Sequence, residues 1–262
     1  MLIATDLDGT LLAPDAEVPS PYAVEVLSRV DRAGIPVVFV TGRPLRWMDG
    51  LWGLVARHGM AIVSNGAIAY DVHAREPVRV VGIEPEAGLR VAEAIRRAVP
   101  GVTFAIECMD GIRHEPGFLD PERVPAGSRR GRLEQVWDTA AVKLLVRHHG
   151  RDHDRFHHVV EAAVDEQATP TWSVPGLAEI SARDVTKATA LIELCHLLDV
   201  PAQDVVAFGD MPNDLAMLAW AGTSYAVANA HSSVLAVADH VAPPCQEDGV
   251  AQVLESIVAG RA

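Results

Sequence analysis

Three short, mainly apolar runs, Leu2-Ile3-Ala4-Thr5, Pro36-Val37-Val38-Phe39-Val40 and Ala61-Ile62-Val63, alternate with stretches of helical spacing, and this rhythm restricts the fold more than any other feature. Residues 21–33 put Val24, Leu27 and Val30 on one helical face, Gly34 ends that helix, and residues 45–57 predict a second one. Strands without polar alternation are buried on both faces, as in a parallel sheet covered by helices on either side. The expected class is α/β, a doubly wound parallel sheet.

The rhythm then breaks. Residues 68–71 and 77–83 read as paired strands around a polar turn at 73–76. A helix at 86–99, a strand at 102–106, a Gly/Pro-rich, loop-like stretch at 111–131, a strand at 142–146, a helix at 154–164 and strands at 171–174 and 177–181 follow. They form an inserted α+β domain at 81–183. The first rhythm resumes with a helix at 186–198, strand 205–208, helix 214–220, strand 225–227 and a last helix at 249–258. The sheet domain is thus discontinuous, 1–80 with 184–262.

In open α/β sheets the ligand lies beyond the carboxyl ends of the strands, so the residues that follow each strand carry the most information. Four such places are polar: Asp6-Leu7-Asp8-Gly9-Thr10, Thr41-Gly42-Arg43, Thr186-Lys187 and Gly209-Asp210-Met211-Pro212-Asn213-Asp214. Brought to one rim they supply four carboxylates together with Lys187 and Thr41. A like-charge pair at 4 Å costs roughly 4 kcal/mol at an effective dielectric near 20, so such a cluster cannot receive a phosphate dianion without a cation. An oxygen-rich set of this kind suits Mg²⁺, a hard ion that bridges carboxylate to phosphate.

Lys187 runs against the chain's own usage. Lysine and arginine total 22, and the only lysines are Lys143 and Lys187. A compact ammonium suits a point contact with phosphate or carboxylate. In the first turn of a helix it also opposes the macrodipole, a conflict that a nearby anion relieves.

These strings, in this order, resemble the haloacid dehalogenase (HAD) superfamily of phosphohydrolases, in its Cof-like branch with a large α+β cap of the C2B type. Ser64-Asn65-Gly66-Ala67 also looks like that branch's approach to its cap, whereas Ala188 stands where the familiar pattern has a glycine after the lysine. The resemblance implies that Asp6 is a nucleophile forming an aspartyl-phosphate, and that Asp8 protonates the leaving alcohol and later activates water. It implies Mg²⁺ ligands at Asp6, Asp8 (through its carbonyl), Asp210 and Asp214, and phosphate contacts at Thr41, Gly42, Lys187 and Asn213. Arg43 is read either as a substrate contact or as a structural ion pair. Asn65, Glu107, Arg113 and His114, with Asp110 and Trp172, are substrate-side candidates from position and polarity alone.

The chemistry expected is hydrolysis of a small phosphorylated metabolite, a sugar phosphate being favoured, with the cap closing over the site. Two alternatives use the same scaffold: a phosphomutase or phosphotransferase that passes the phosphoryl group to a second alcohol, and a non-catalytic phospholigand-binding protein. Composition limits the partners further. The formal charge of −13 opposes nucleic acid as a partner. No apolar run reaches the roughly 18 to 20 residues that span a bilayer, and Met1 leads straight into the first strand, so no membrane or secretory role is expected. Cys108, Cys195 and Cys245 form no CxxC pair, which fits a reducing cytoplasm. Nothing in the sequence fixes the oligomeric state. His149, His153 and His157 recur at helical spacing and read as a solvated face, while Trp47 and Trp52 read as core or subunit contact.

Overall fold

The computed structural model describes residues 1–14, 16–55, 58–119, 125, 127–150 and 152–260. Two units emerge, Met1–Arg79 with Thr186–Ala262, and Val80–Val185.

The first unit opens with β1 (Leu2–Thr5), fully buried, then α1 (Pro21–Arg32). Ser20 caps α1 by accepting from Ala23 N at 3.0 Å, and Pro21 fills the first turn, where no amide donor is needed. β2 (Val37–Val40) and β3 (Met60–Val63) continue the sheet in parallel, Ile3 opposite Val37 and Phe39 opposite Ala61. Two strands, β4 (Ile68–Asp71) and β5 (Glu76–Val80), extend one edge, β4 lying antiparallel to β3.

No α-helix spans 45–55; two 3₁₀ turns, Leu45–Trp47 and Trp52–Leu54, stand there instead, and positions 56 and 57 of the predicted helix lie outside the described residues. Gly50 and Gly53 explain the difference, since each costs about 1 kcal/mol relative to alanine inside a helix. Trp47 is exposed and lies under the Arg46 guanidinium, so it is not core, whereas Trp52 stacks on Tyr70 with ring centroids 5.1 Å apart.

The second unit holds α2 (Pro85–Ala98), β6 (Thr103–Cys108), β7 (Gly111–His114), β8 (Arg129–Arg130), α3 (Leu133–Val136), β9 (Lys143–Arg147), α4 (His153–Val164), β10 (Ala168–Val174) and β11 (Leu177–Ala182). Its sheet runs β10-β11-β9-β6-β7-β8. The apolar faces of α2 and α4 pack with Phe104, Ile106, Leu144, Val146 and Ile180 in one core. The stretch expected to be loop-like thus carries β7 and β8; its positions 120–124 and 126 lie outside the described residues. β7 escaped notice because Arg113 and His114 are buried there as polar side chains, so the strand lacks an apolar signature. The histidine face also differs. α4 begins only at His153, leaving His149 outside it, and His157 is buried against Trp172 with centroids 4.5 Å apart.

The chain returns to the first unit through α5 (Lys187–Leu197), β12 (Val205–Gly209), α6 (Leu215–Trp220), β13 (Thr223–Val227), α7 (Ser232–Leu235), β14 (His240–Ala242) and α8 (Gly249–Ala259). The eight-stranded order is β14-β13-β12-β1-β2-β3-β4-β5. β1 therefore sits between β2 and β12, with Leu2 opposite Val205 and Thr5 opposite Phe208. This is a doubly wound sheet whose strand order reverses at β1, where such folds place their ligands.

Candidate active site

Everything at the carboxyl end of β1 follows from its two parallel neighbours. Asp6 N donates to the Phe208 carbonyl at 3.0 Å, which fixes the loop after β1 beside the loop after β12. Lys187, the first residue of α5, reaches into the gap between them. Its Nζ donates to Asp6 Oδ1 at 2.6 Å and to Asp214 Oδ1 at 2.7 Å, with 1% of its side chain exposed. The α5 start is held by a reciprocal cap in which Thr186 Oγ1 accepts from Thr189 N and Thr189 Oγ1 accepts from Thr186 N.

Asp210 and Asp214 are fixed as tightly. Asp214 Oδ2 accepts from Asp210 N and Met211 N, each at 3.1 Å, and Thr10 Oγ1 donates to Asp210 Oδ1 at 2.9 Å. Gly9, at φ +81°, has no room for a side chain, since a Cβ would lie 2.3 Å from Asp210 Oδ2. Asp6, Asp210 and Asp214 each offer a carboxylate oxygen within 4.8 Å of the others, and all three are buried.

That crowding shows in the titration of the group. Burial, with the charges of Asp214 and Asp210, raises the Asp6 carboxyl well above its ordinary value in spite of Lys187. Asp210 is pushed up to about 7 by burial and then by Asp214. Burial pulls the Lys187 ammonium down, but Asp214 and Asp6 reverse this and leave it raised. Three carboxylates face one ammonium, so full ionisation leaves the group with an excess of negative charge. An all-oxygen, buried, doubly negative cluster fits a hard divalent cation, and these are the residues that could hold one.

A pH dependence follows. In the metal-free folded chain Asp210 keeps its proton to about pH 7, whereas an unperturbed aspartate releases it near 3.8. The folded state binds more protons between those values, so stability falls as pH rises through that window. Thermal unfolding of chelated protein is expected to show a midpoint that drops from pH 5 to pH 7.5, with Asp210→Asn flattening the slope. A divalent cation at a hundred times its dissociation constant restores about 2.7 kcal/mol at the upper pH. Parallel pH profiles for wild type and Asp210→Asn would contradict the assignment.

A second group of loops meets beside the first. Asn65 N donates to the Thr41 carbonyl at 3.0 Å and Ser64 N to the Arg43 carbonyl at 2.9 Å, joining the loops after β2 and β3. Asn213 Nδ2 donates to Asn65 Oδ1 at 3.1 Å, and a Cβ on Gly42 would lie 3.0 Å from that same oxygen. Thr41, Gly42, Asn65 and Asn213 are thus neighbours. Ser64, Asn65 and Gly66 are consecutive left-handed residues, a costly backbone for two non-glycines. Ser64 Oγ and Asn213 Oδ1 are buried without a protein partner among the described residues.

Arg43 and Asp8 form an ion pair on adjacent loops, Nε to Oδ2 at 2.8 Å and Nη2 to Oδ1 at 2.6 Å. Glu107, Arg113 and His114 lie in the second unit. There Arg113 donates to Asp110, Asp138 and the Val136 carbonyl, and His114 Nδ1 is 3.0 Å from the Glu115 carbonyl. Sequence reasoning overlooked Asn229, whose Nδ2 donates to the Gly9 carbonyl and whose Oδ1 accepts from Cys245 N, both at 2.8 Å. It follows β13, so the strand-end rule applied to that strand would have found it.

Comparison with known proteins gives this geometry a family. The chain is 28% identical to the pyridoxal phosphate phosphatase YbhA of Escherichia coli over 97% of each chain. It is 27% identical to the 5-amino-6-(5-phospho-D-ribitylamino)uracil phosphatase YitU of Bacillus subtilis, over 97% of this chain and 96% of that one. Its fold matches the crystal structure of SMU.1108c from Streptococcus mutans with a TM-score of 0.87, at 21% identity over 98% of both chains. The sequence profile of the haloacid dehalogenase-like hydrolases matches residues 3–254, and the chain belongs to that family.

Proposed function

We propose that the protein is a Mg²⁺-dependent phosphatase that hydrolyses a small phosphorylated metabolite, a sugar phosphate being preferred, through an aspartyl-phosphate on Asp6. The observation that carries this reading is the convergence of Asp6, Lys187, Asp210 and Asp214 at one strand rim. Family membership and the phosphatase names of the relatives support it.

In this reading an Asp6 oxygen attacks phosphorus, the bond to the substrate alcohol breaks with its electron pair on the departing oxygen, and Asp8 protonates that oxygen. Water then attacks phosphorus and gives its proton to Asp8, and the Asp6 carboxylate is released as inorganic phosphate departs. Thr41, Gly42, Lys187 and Asn213 hold the phosphoryl oxygens. Asp6, Asp210 and Asp214, with the Asp8 carbonyl, would hold Mg²⁺, which supplies positive charge against the phosphate oxygens. Residues 81–183 are proposed as the cap that selects the alcohol, with Glu107 and His114 as its polar candidates. Arg113, the third candidate, pairs with Asp110 and Asp138.

The test is a panel of phosphate esters, sugar phosphates and pyridoxal phosphate among them, ranked by kcat/KM with Mg²⁺ and with chelator. Inorganic phosphate is expected, and it should vanish on chelation. An isomeric ester in its place would identify a mutase, and no turnover of any ester would identify a binding protein.

A further inference from the structure

We propose that Arg43 is a positioning residue that holds the Asp8 carboxylate for the water-attack step; this rests on the reading of Asp6 and Asp8 given above. β1 and β2 are adjacent parallel strands, so the loops that follow them lie side by side and Arg43 faces Asp8. The guanidinium is the fixed member of the pair. Arg43 N donates to Thr41 Oγ1 at 3.0 Å and the Arg43 carbonyl accepts from Ser64 N, so its backbone is pinned at both ends. The Arg43 side chain is 13% exposed and that of Asp8 57%.

A pair with one member so exposed adds at most about 1 kcal/mol to stability, too little to account for a two-pronged contact at the rim of the site. What the fork supplies is orientation. Nε engages Oδ2 and Nη2 engages Oδ1, so the plane of the carboxylate is set and both oxygens face donors. A carboxylate held this way is ready to accept the proton of an attacking water. As water's oxygen bonds to phosphorus, its proton passes to Asp8 and the electron pair of the Asp6–phosphorus bond returns to the Asp6 carboxylate. Protonating a leaving alcohol makes the opposite demand, which an activated aryl leaving group does not need met. The two half-reactions can therefore be told apart.

The experiment is rapid-quench and stopped-flow turnover of p-nitrophenyl phosphate with Mg²⁺ by wild type, Arg43→Ala, Arg43→Lys, Asp8→Asn and Asp6→Asn. Arg43→Ala is expected to release nitrophenol in a burst approaching one per enzyme, followed by a steady state slowed about 10- to 100-fold, with KM falling alongside kcat so that kcat/KM is nearly unchanged. Arg43→Lys, which keeps the charge but loses the fork, should fall between it and wild type. A raised KM with kcat intact would make Arg43 a substrate contact and overturn the proposal. So would unchanged kinetics, or a burst slowed as much as the steady state. Normal turnover by Asp8→Asn or a retained burst in Asp6→Asn would instead overturn the underlying reading of those carboxylates, and the proposal with it.

Discussion

Asp6→Asn is expected to lower phosphate release by about 10⁴-fold or more, because an amide cannot be the nucleophile and the remaining groups retain only binding and electrostatic contributions. The same substitution should not cost stability. Asn keeps an oxygen where Lys187 Nζ donates at 2.6 Å, and it removes one of three buried carboxylates that repel each other. Chelated Asp6→Asn should therefore unfold at the same temperature as wild type or higher at pH 7.5. Loss of activity with undiminished thermal stability separates a chemical role from a structural one. Near-normal phosphate release would exclude Asp6 as nucleophile.

Lys187→Met has the opposite signature, losing both activity and fold stability. Methionine preserves much of the aliphatic stem, but Asp6 and Asp214 lose their shared ammonium at sites that are 5% and 0% exposed. Breaking a buried pair by removing one partner costs about 3–5 kcal/mol. For a unit of this size that lowers the unfolding midpoint on the order of 10 °C in chelated protein. Asp214→Asn combined with Lys187→Met should recover part of the loss, since one uncompensated charge is then gone, and the double-mutant cycle measures the coupling. Unfolding midpoints that are additive, with Lys187→Met indistinguishable from wild type, would mean that the ammonium does not hold this cluster together.

Much of this arrangement was legible before any coordinates, for an identifiable reason. Parallel strands buried on both faces announce themselves as unbroken apolar runs, and the polar residues that end them cannot lie far from the rim. Asp6 and Asp210 were therefore visible as neighbours, while Lys187, some 180 residues from Asp6, stood out by opening a helix and by the scarcity of lysine. The grip of Arg43 on Asp8 was not, because spacing along a chain does not encode which side chains pair across adjacent loops. β7 was hidden for a different reason: its buried polar residues, such as Arg113, are satisfied by partners at Asp110 and Asp138 that no local pattern reveals. The helix expected at 45–57 shows the reverse error, in which apolar spacing outweighed two glycines that break it.

The position of β1 between β2 and β12 has a consequence for synthesis on the ribosome. When β1, β2 and β3 have emerged, the strand that bears Asp6 has a partner on one side only, and its other edge stays open through the whole of the intervening unit. Residues 205–209 must arrive before that edge is closed, and Asp214 before Lys187 has its second anion. The nascent chain thus carries an unfinished edge for most of its translation, and the Asp6 carboxylate gains its full set of neighbours only near the end.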